Sequence, residues 1–306
     1  QDVLLQGFSS PKDVALDEPA GMMYYTDMVH AEVRRCPVEG AASFLGTELL
    51  VAGTVKPALL RLDPGRRVLY FTDQVCEGCD PETKLVLRAP MDGLAAGEAP
   101  EVVVRLEGHA RGIDVGDDGY LYYTDFYEGT LSRVPLTPWG TPNGPREVVC
   151  DQLVEASYMD WSSAAGGPRV YWSEASGTQV AYVDLTEAGA LKTKKILVDG
   201  ASGYLDMVMA TPSGLYWTDK VGYVVRAADL PGLLAAAAPP RYAADDGARF
   251  ATVLEGLDKP KGLWVASYPA AAGLGLAART AYTDRGDAPV FEDYPWAVGP
   301  IVEPHR

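Results

Sequence analysis

Tyr216-Trp217-Thr218-Asp219, an aromatic pair closed by a hydroxyl residue and an acid, decides the fold because the same order returns along the whole chain. The other copies are Tyr24-Tyr25-Thr26-Asp27, Tyr70-Phe71-Thr72-Asp73, Tyr122-Tyr123-Thr124-Asp125, Tyr171-Trp172-Ser173-Glu174 and Ala281-Tyr282-Thr283-Asp284. Their acids stand 46, 52, 49, 45 and 65 residues apart. A period of about 40 to 50 residues belongs to repeat arrays such as propellers, one structural unit per copy.

Outward from each copy the pattern is that of strands. About ten residues upstream of each acid lies a short apolar run, at 14–16, 59–62, 113–115, 159–161, 207–209 and 263–265, parted from the motif by turn residues such as Asp63-Pro64-Gly65 or Asp117-Asp118-Gly119. Each pair reads as a hairpin. A third strand follows, as at 179–184 or 222–227, then a fourth, as at 48–52, 101–106, 194–198 or 251–254. The expectation is an all-β chain, a six-bladed β-propeller with four-stranded antiparallel blades, forming one domain over residues 1–306. Residues 2–8 read like the fourth strands elsewhere, so the N-terminal strand is expected to close the last blade by pairing with a third strand within 287–302. That unit is the least regular. Ala281 replaces an aromatic, and Pro289, Pro295, Pro300 and Pro304 disfavour central pairing.

The repeat resembles the YWTD, or low-density-lipoprotein-receptor class B, propeller, which residues 216–219 match letter for letter. The resemblance covers nearly the whole chain. It implies that the aromatics pack between blades and that the motif acids Asp27, Asp73, Asp125, Glu174, Asp219 and Asp284 are architectural, bonded to backbone. Receptor members carry a Cys-rich growth-factor-like module after the propeller, whereas the four Cys here all precede residue 151.

With 26 Lys plus Arg against 42 acids, a net charge of −16, the chain has no basic face for nucleic acid. No apolar run of about 18 residues is long enough to span a membrane, and the Ala-rich segments 230–238 and 270–278 read as inserted loops. Cys76 and Cys79 flank a short turn and are expected to form a disulfide, which points to an extracellular or secreted setting; Cys36 and Cys150 are paired with each other or free. Zinc is disfavoured because no second C-x-x-C or His pair accompanies them.

For chemistry, the rival class is the metal-dependent, gluconolactonase-like hydrolases, which this chain also resembles in its strand-turn-strand order. Lys12-Asp13 stands where that family places a metal-binding Glu, and the single Asn, Asn143, cannot supply its Asn ligands. No catalytic residue, metal or cofactor is assigned. His109 sits beside Arg111 without a nucleophile elbow.

Strand alternation puts Asp13, Arg61, Asp114, Asp160 and Asp206 on one side of the first strands, as channel-lining residues. Just upstream, Lys12, Arg111, Tyr158, Tyr204 and Lys261 are expected to converge at the channel mouth. The ring reads either as mutually neutralising charges around a solvated hole or as the base of a protein-binding surface. The resulting expectation is a noncatalytic extracellular propeller that binds protein partners, including other subunits of an extracellular assembly. The outer-strand charges Lys194 and Lys195 are expected to matter little to partner binding beyond a salt-dependent on-rate.

Overall fold

The computed structural model describes residues 2–3, 10–38, 46–73, 84–106, 108–163, 166–176, 178–200, 205–212, 214–219 and 224–236, and the strands at 251–254, 261–268, 277–283 and 290–294. The short strand β1 (Asp2–Val3) opens the chain. The first blade is β2 (Pro11–Asp17), β3 (Met22–Asp27), β4 (Glu32–Pro37) and β5 (Glu48–Val51). The second is β6 (Pro57–Asp63), β7 (Val68–Asp73), β8 (Lys84–Pro90) and β9 (Glu101–Leu106). The third is β10 (Ala110–Val115), β11 (Tyr120–Asp125), β12 (Thr130–Pro135) and β13 (Glu147–Cys150). The fourth is β14 (Ala156–Ser162), β15 (Arg169–Glu174), β16 (Gln179–Asp184) and β17 (Lys195–Val198). The fifth is β18 (Leu205–Ala210), β19 (Gly214–Asp219), β20 (Val224–Asp229) and β21 (Ala251–Leu254).

In these five sheets the strands lie side by side in chain order, all antiparallel. The remaining strands, β22 (Lys261–Tyr268), β23 (Ala277–Thr283) and β24 (Val290–Tyr294), form a composite sheet with β1, in the order β1-β24-β23-β22. The expectation of six equivalent blades is therefore corrected to five: only five sheets consist of four consecutive strands, and the composite sheet completes the ring between the fifth and the first, where β22 touches both β18 and β2. The irregular last unit, with Ala281 in its motif, supplies three strands and takes its edge partner from the other end of the chain. That pairing joins Asp2 to Phe291 and Val3 to Val290; the remainder of the closing strand expected at 2–8 lies outside the described residues.

Each innermost strand begins with the same defect. The register between first and second strands slips at Pro11/Val14, Pro57/Leu60, Ala110/Gly112, Ala156/Met159 and Leu205/Val208. A bulge leaves a backbone N–H without its ladder partner. The motif hydroxyl supplies one: Asp13 N donates to Thr26 Oγ1 (3.2 Å), Leu59 N to Thr72 Oγ1 (3.0 Å) and Met207 N to Thr218 Oγ1 (2.9 Å). Motif hydroxyls also donate to the next blade, Thr26 to Ala58 O (2.6 Å), Thr124 to Ser157 O (3.3 Å) and Ser173 to Asp206 O. At Thr26 one atom both accepts and donates. Thr26→Val keeps shape but strands Asp13 N–H and Ala58 C=O, and is expected to cost about 1–3 kcal/mol in denaturant unfolding. An unchanged midpoint would remove the hydroxyl from the fold's determinants.

The acids act at the loop end of the same strands. Asp73 accepts from Val55 N (2.9 Å) and Lys56 N (2.6 Å), Asp125 from His109, Tyr127 and Glu128 N, and Asp27 from Val29 and His30 N. They fix the loops that enter and leave the inner hairpin. Asp284 lies outside the described residues. The aromatics fill the space between blades, Tyr24 with Leu69 and Phe71, Tyr122 with Val170 and Trp172, and Tyr171 with Leu215 and Trp217. Each such burial removes apolar surface worth roughly 2 kcal/mol or more from water.

Two local expectations change. The segment expected as a loop from 230 begins as a helix, α1 (Leu230–Ala235), because Asp229 caps it by accepting from Gly232 N (3.1 Å) and Pro231 suits its first turn. Lys194 lies ahead of β17, and its ammonium is tied to the buried Glu174. No helix among the described residues is long and apolar enough to cross a membrane.

Candidate functional site

The inner strands β2, β6, β10, β14 and β18 stand next to one another around the axis. Alternation along them delivers Asp13, Arg61, Asp114 and Asp160 to a common centre. Asp13 Oδ2 accepts from Leu60 N (2.9 Å) and Arg61 Nη1 (3.1 Å), while Oδ1 accepts from Val14 N (2.9 Å). Asp114 accepts from Val115 N (2.8 Å) and from Trp161 N of the next blade (2.6 Å); Asp160 accepts from Ala210 N of the blade after (2.9 Å). These acids thus tie successive blades at the axis. Arg61 spans the hole, with Nη2 on Met159 O (3.3 Å) and Nε 3.8 Å from Asp114.

The ring is not mutually neutralising. Among the described channel residues one guanidinium faces Asp13, Asp114 and Asp160, with Asp206 held by Ser157 Oγ (3.2 Å). Burial pushes the carboxyls of Asp13 and Asp114 up, and Arg61 opposes this only in part. Asp160 is raised further, by burial and then by the charge of Asp114. On the hairpin side of Arg61, Asp114 and Asp160 opens a cavity of about 170 Å³, walled among the described residues also by Leu62, Trp161, Val208 and Met209.

Tyr158, 8% exposed, belongs to the buried cluster with Leu59, Ile113 and Met207, and its phenol is raised well above its usual range by burial and by Asp206 and Asp13. On the loop side the charges of Lys12 and Arg111 both reach the His109 imidazole. Burial first, then Lys84, Arg111 and Lys12, push His109 down to about 4, against the opposing pull of Asp125. It is neutral at pH 7. Arg111 lies 4.0 Å over the Phe126 ring, Lys84 5.2 Å over Tyr127, and Phe126 meets Tyr127 edge to face at 5.4 Å. The turn carrying them is held from below, since Phe126 N donates to His109 O (2.9 Å) and Asp125 takes the next two N–H groups. Tyr127 is nevertheless 72% exposed.

Of the expected mouth residues, Lys12 and Arg111 both act on His109, and Tyr158 is buried in the core. Tyr204 and the side chain of Lys261 lie outside the described residues, as do Cys76 and Cys79. Sequence reasoning missed Lys84, Phe126 and Tyr127. The signal for the last two was present: a second aromatic pair directly after the acid of the third motif. Cys36 and Cys150 are buried free thiols, raised by burial to about 12 and about 11. They are too protonated and too enclosed for redox chemistry.

A divalent metal does not fit this axis. The Arg61 guanidinium already provides the cation between Asp13 and Asp114, and among the described residues no three His, Cys, Asp or Glu side chains converge. A cleft of about 460 Å³ on the outer hairpin side is walled by Arg66, Arg67 and Arg88, each held by an acid: Asp63 (2.5 Å), Asp92 (2.6 Å) and Glu101 (2.7 Å).

No protein-family model matches the chain, and no curated protein matches it. Among solved structures it is similar to a chain of the nidogen/laminin complex, with 19% identity, 76% of this chain and 77% of that chain covered and a TM-score of 0.55. It is also similar to a putative oxidoreductase (glucose dehydrogenase) from Thermus thermophilus, at 18% identity, 96% and 99% coverage and a TM-score of 0.63. A gluconolactonase from Xanthomonas campestris aligns at 14% identity, 95% and 89% coverage and a TM-score of 0.66. At such identities the likeness establishes the propeller fold alone.

Proposed function

We propose that this chain is a noncatalytic binding propeller that docks a protein partner on the loop face, over the channel mouth. The observation that carries the reading is Tyr127, a large aromatic left 72% exposed on a turn that three backbone hydrogen bonds hold rigid. Rigid aromatic anchors beside Arg are where interface energy concentrates, because little conformational entropy is lost when they are covered. Phe126 with Arg111, Lys84 and Lys12 surround it, on a chain whose net charge is −16. The nidogen/laminin neighbour supports a protein partner, and an extracellular assembly is the setting we propose with it.

The enzymes among the structural neighbours support a rival reading, a metal-dependent hydrolase. This chain's own residues weigh against it, since Arg61 sits between Asp13 and Asp114 at the axis.

The test begins with cross-linking and co-purification to identify the partner, then measures its affinity for folded variants. Tyr127→Ala and Arg111→Ala are each expected to weaken binding by about 1–2 kcal/mol or more, with Leu191→Ala on another loop silent. Full affinity in both mouth variants would move the interface elsewhere. Turnover of lactones on addition of calcium or zinc would replace the binding reading with the hydrolytic one.

A further inference from the structure

We propose that the axial cavity on the hairpin side is a binding site for a small organic cation, a primary ammonium bearing a short apolar chain or ring. It lies at the opposite end of the channel from the partner surface and does not depend on it. The argument starts from charge. Arg61 makes three hydrogen bonds, to Asp13 Oδ2 at 3.1 Å, Leu60 O at 2.7 Å and Met159 O at 3.3 Å. Asp114 has both oxygens hydrogen-bonded to backbone and lies 3.8 Å from the same guanidinium. Asp160 is the acid left over. Its Oδ2 accepts from Ala210 N, while Oδ1 accepts no hydrogen bond among the described residues, and its carboxyl borders the cavity. Arg61 reaches Asp160 through charge but with no hydrogen bond among the described residues, so the spare oxygen can take a donor.

The other walls say which donor. Leu62, Val208 and Met209 are apolar and offer nothing to a hydrated metal ion, and Trp161 provides an aromatic wall of the kind that favours organic cations. An anion would meet two carboxyls. The cavity's 170 Å³ compares with the roughly 150 Å³ that holds a benzene, so a butyl or benzyl group fits behind an ammonium. Burial and then Asp114 raise the Asp160 carboxyl, so a proton competes with the ammonium for it. The ammonium would take that proton's place. Binding then releases a proton and weakens as pH falls, in a field set by Asp13, Asp114, Asp117 and Arg61.

Calorimetric titration of the whole chain with butylammonium and benzylammonium, against butan-1-ol and benzyl alcohol, tests the site. Saturable binding of the amines is expected, at least about tenfold tighter than the alcohols. Asp160→Asn, whose amide oxygen can still accept from Ala210 N, should weaken the amines about tenfold or more and leave the alcohols unchanged. Titrating the unaltered chain in buffers of different ionisation enthalpy should show proton release, a readout that stands even where the variant does not fold. Amines that fail to saturate by about 10 mM, alcohols that bind equally well, an Asp160→Asn affinity equal to the parent, or no proton release would each overturn the proposal.

Discussion

Replacing Arg61 with Ala is expected to cost about 3–5 kcal/mol of stability, the usual effect of removing one partner from a buried ion pair. Arg61 is 6% exposed and Asp13 fully buried, so the pair is a buried one. Asp13, Asp114 and Asp160 would then share the axis with no cation among the described residues to offset them. The pH dependence distinguishes this from simple loss of packing. These carboxyls are already raised in the folded protein by burial, so the native state holds protons that the unfolded chain releases. Stability from such groups increases as pH falls through their folded values toward the unfolded value near 4. Losing Arg61 raises them further and enlarges that gain. The deficit of Arg61→Ala should be largest near pH 8 and shrink toward pH 5, and Arg61→Met with Asp13→Asn should recover much of it. An equal loss of melting temperature at both pH values would show that Arg61 acts through its bulk alone.

What the sequence disclosed, it disclosed through side chains that act locally. The motif hydroxyl and acid bond to backbone within their own hairpin or the next inner strand, so spacing alone locates them, as Thr26 with Asp13 N and Ala58 O shows. The axial set was legible for the same reason, since alternation along one strand places Asp13 or Asp160 without knowledge of any other. Its balance was not legible. That Arg61 crosses from the second blade to Met159 of the fourth depends on how blades close around the axis, and no pattern within one unit records it. The count of equivalent blades failed where local signals weaken, at Ala281 and the prolines after it. Lys84 escaped notice because an insertion separates it from its motif, and only folding brings it over Tyr127.

Glu174→Ala is expected to cost as much as Arg61→Ala, about 3–5 kcal/mol, although the same position in the five other copies of the motif is Asp. The extra methylene explains the difference. Glu174 is fully buried, and its carboxylate accepts from Val154 N (3.2 Å) and from Trp172 Nε1 (3.1 Å), then reaches Lys194 Nζ with both oxygens, at 2.7 and 2.9 Å. Alanine leaves an indole N–H and a backbone N–H without acceptors inside the fourth blade, and an ammonium, 21% exposed, without its counter-ion. Lys194 is thus the cation that makes burial of Glu174 tolerable. Lys194→Ala should itself destabilise by about 2 kcal/mol or more, because it leaves the carboxylate buried and unpaired. Glu174→Asp should lose the lysine while keeping an acid in place. A double-mutant cycle of Glu174→Ala with Lys194→Ala, followed by urea unfolding, is expected to give a coupling energy of about 1–3 kcal/mol. A coupling near zero, with Lys194→Ala as stable as the parent, would return Lys194 to the solvent and leave the two N–H donors as the whole reason for Glu174.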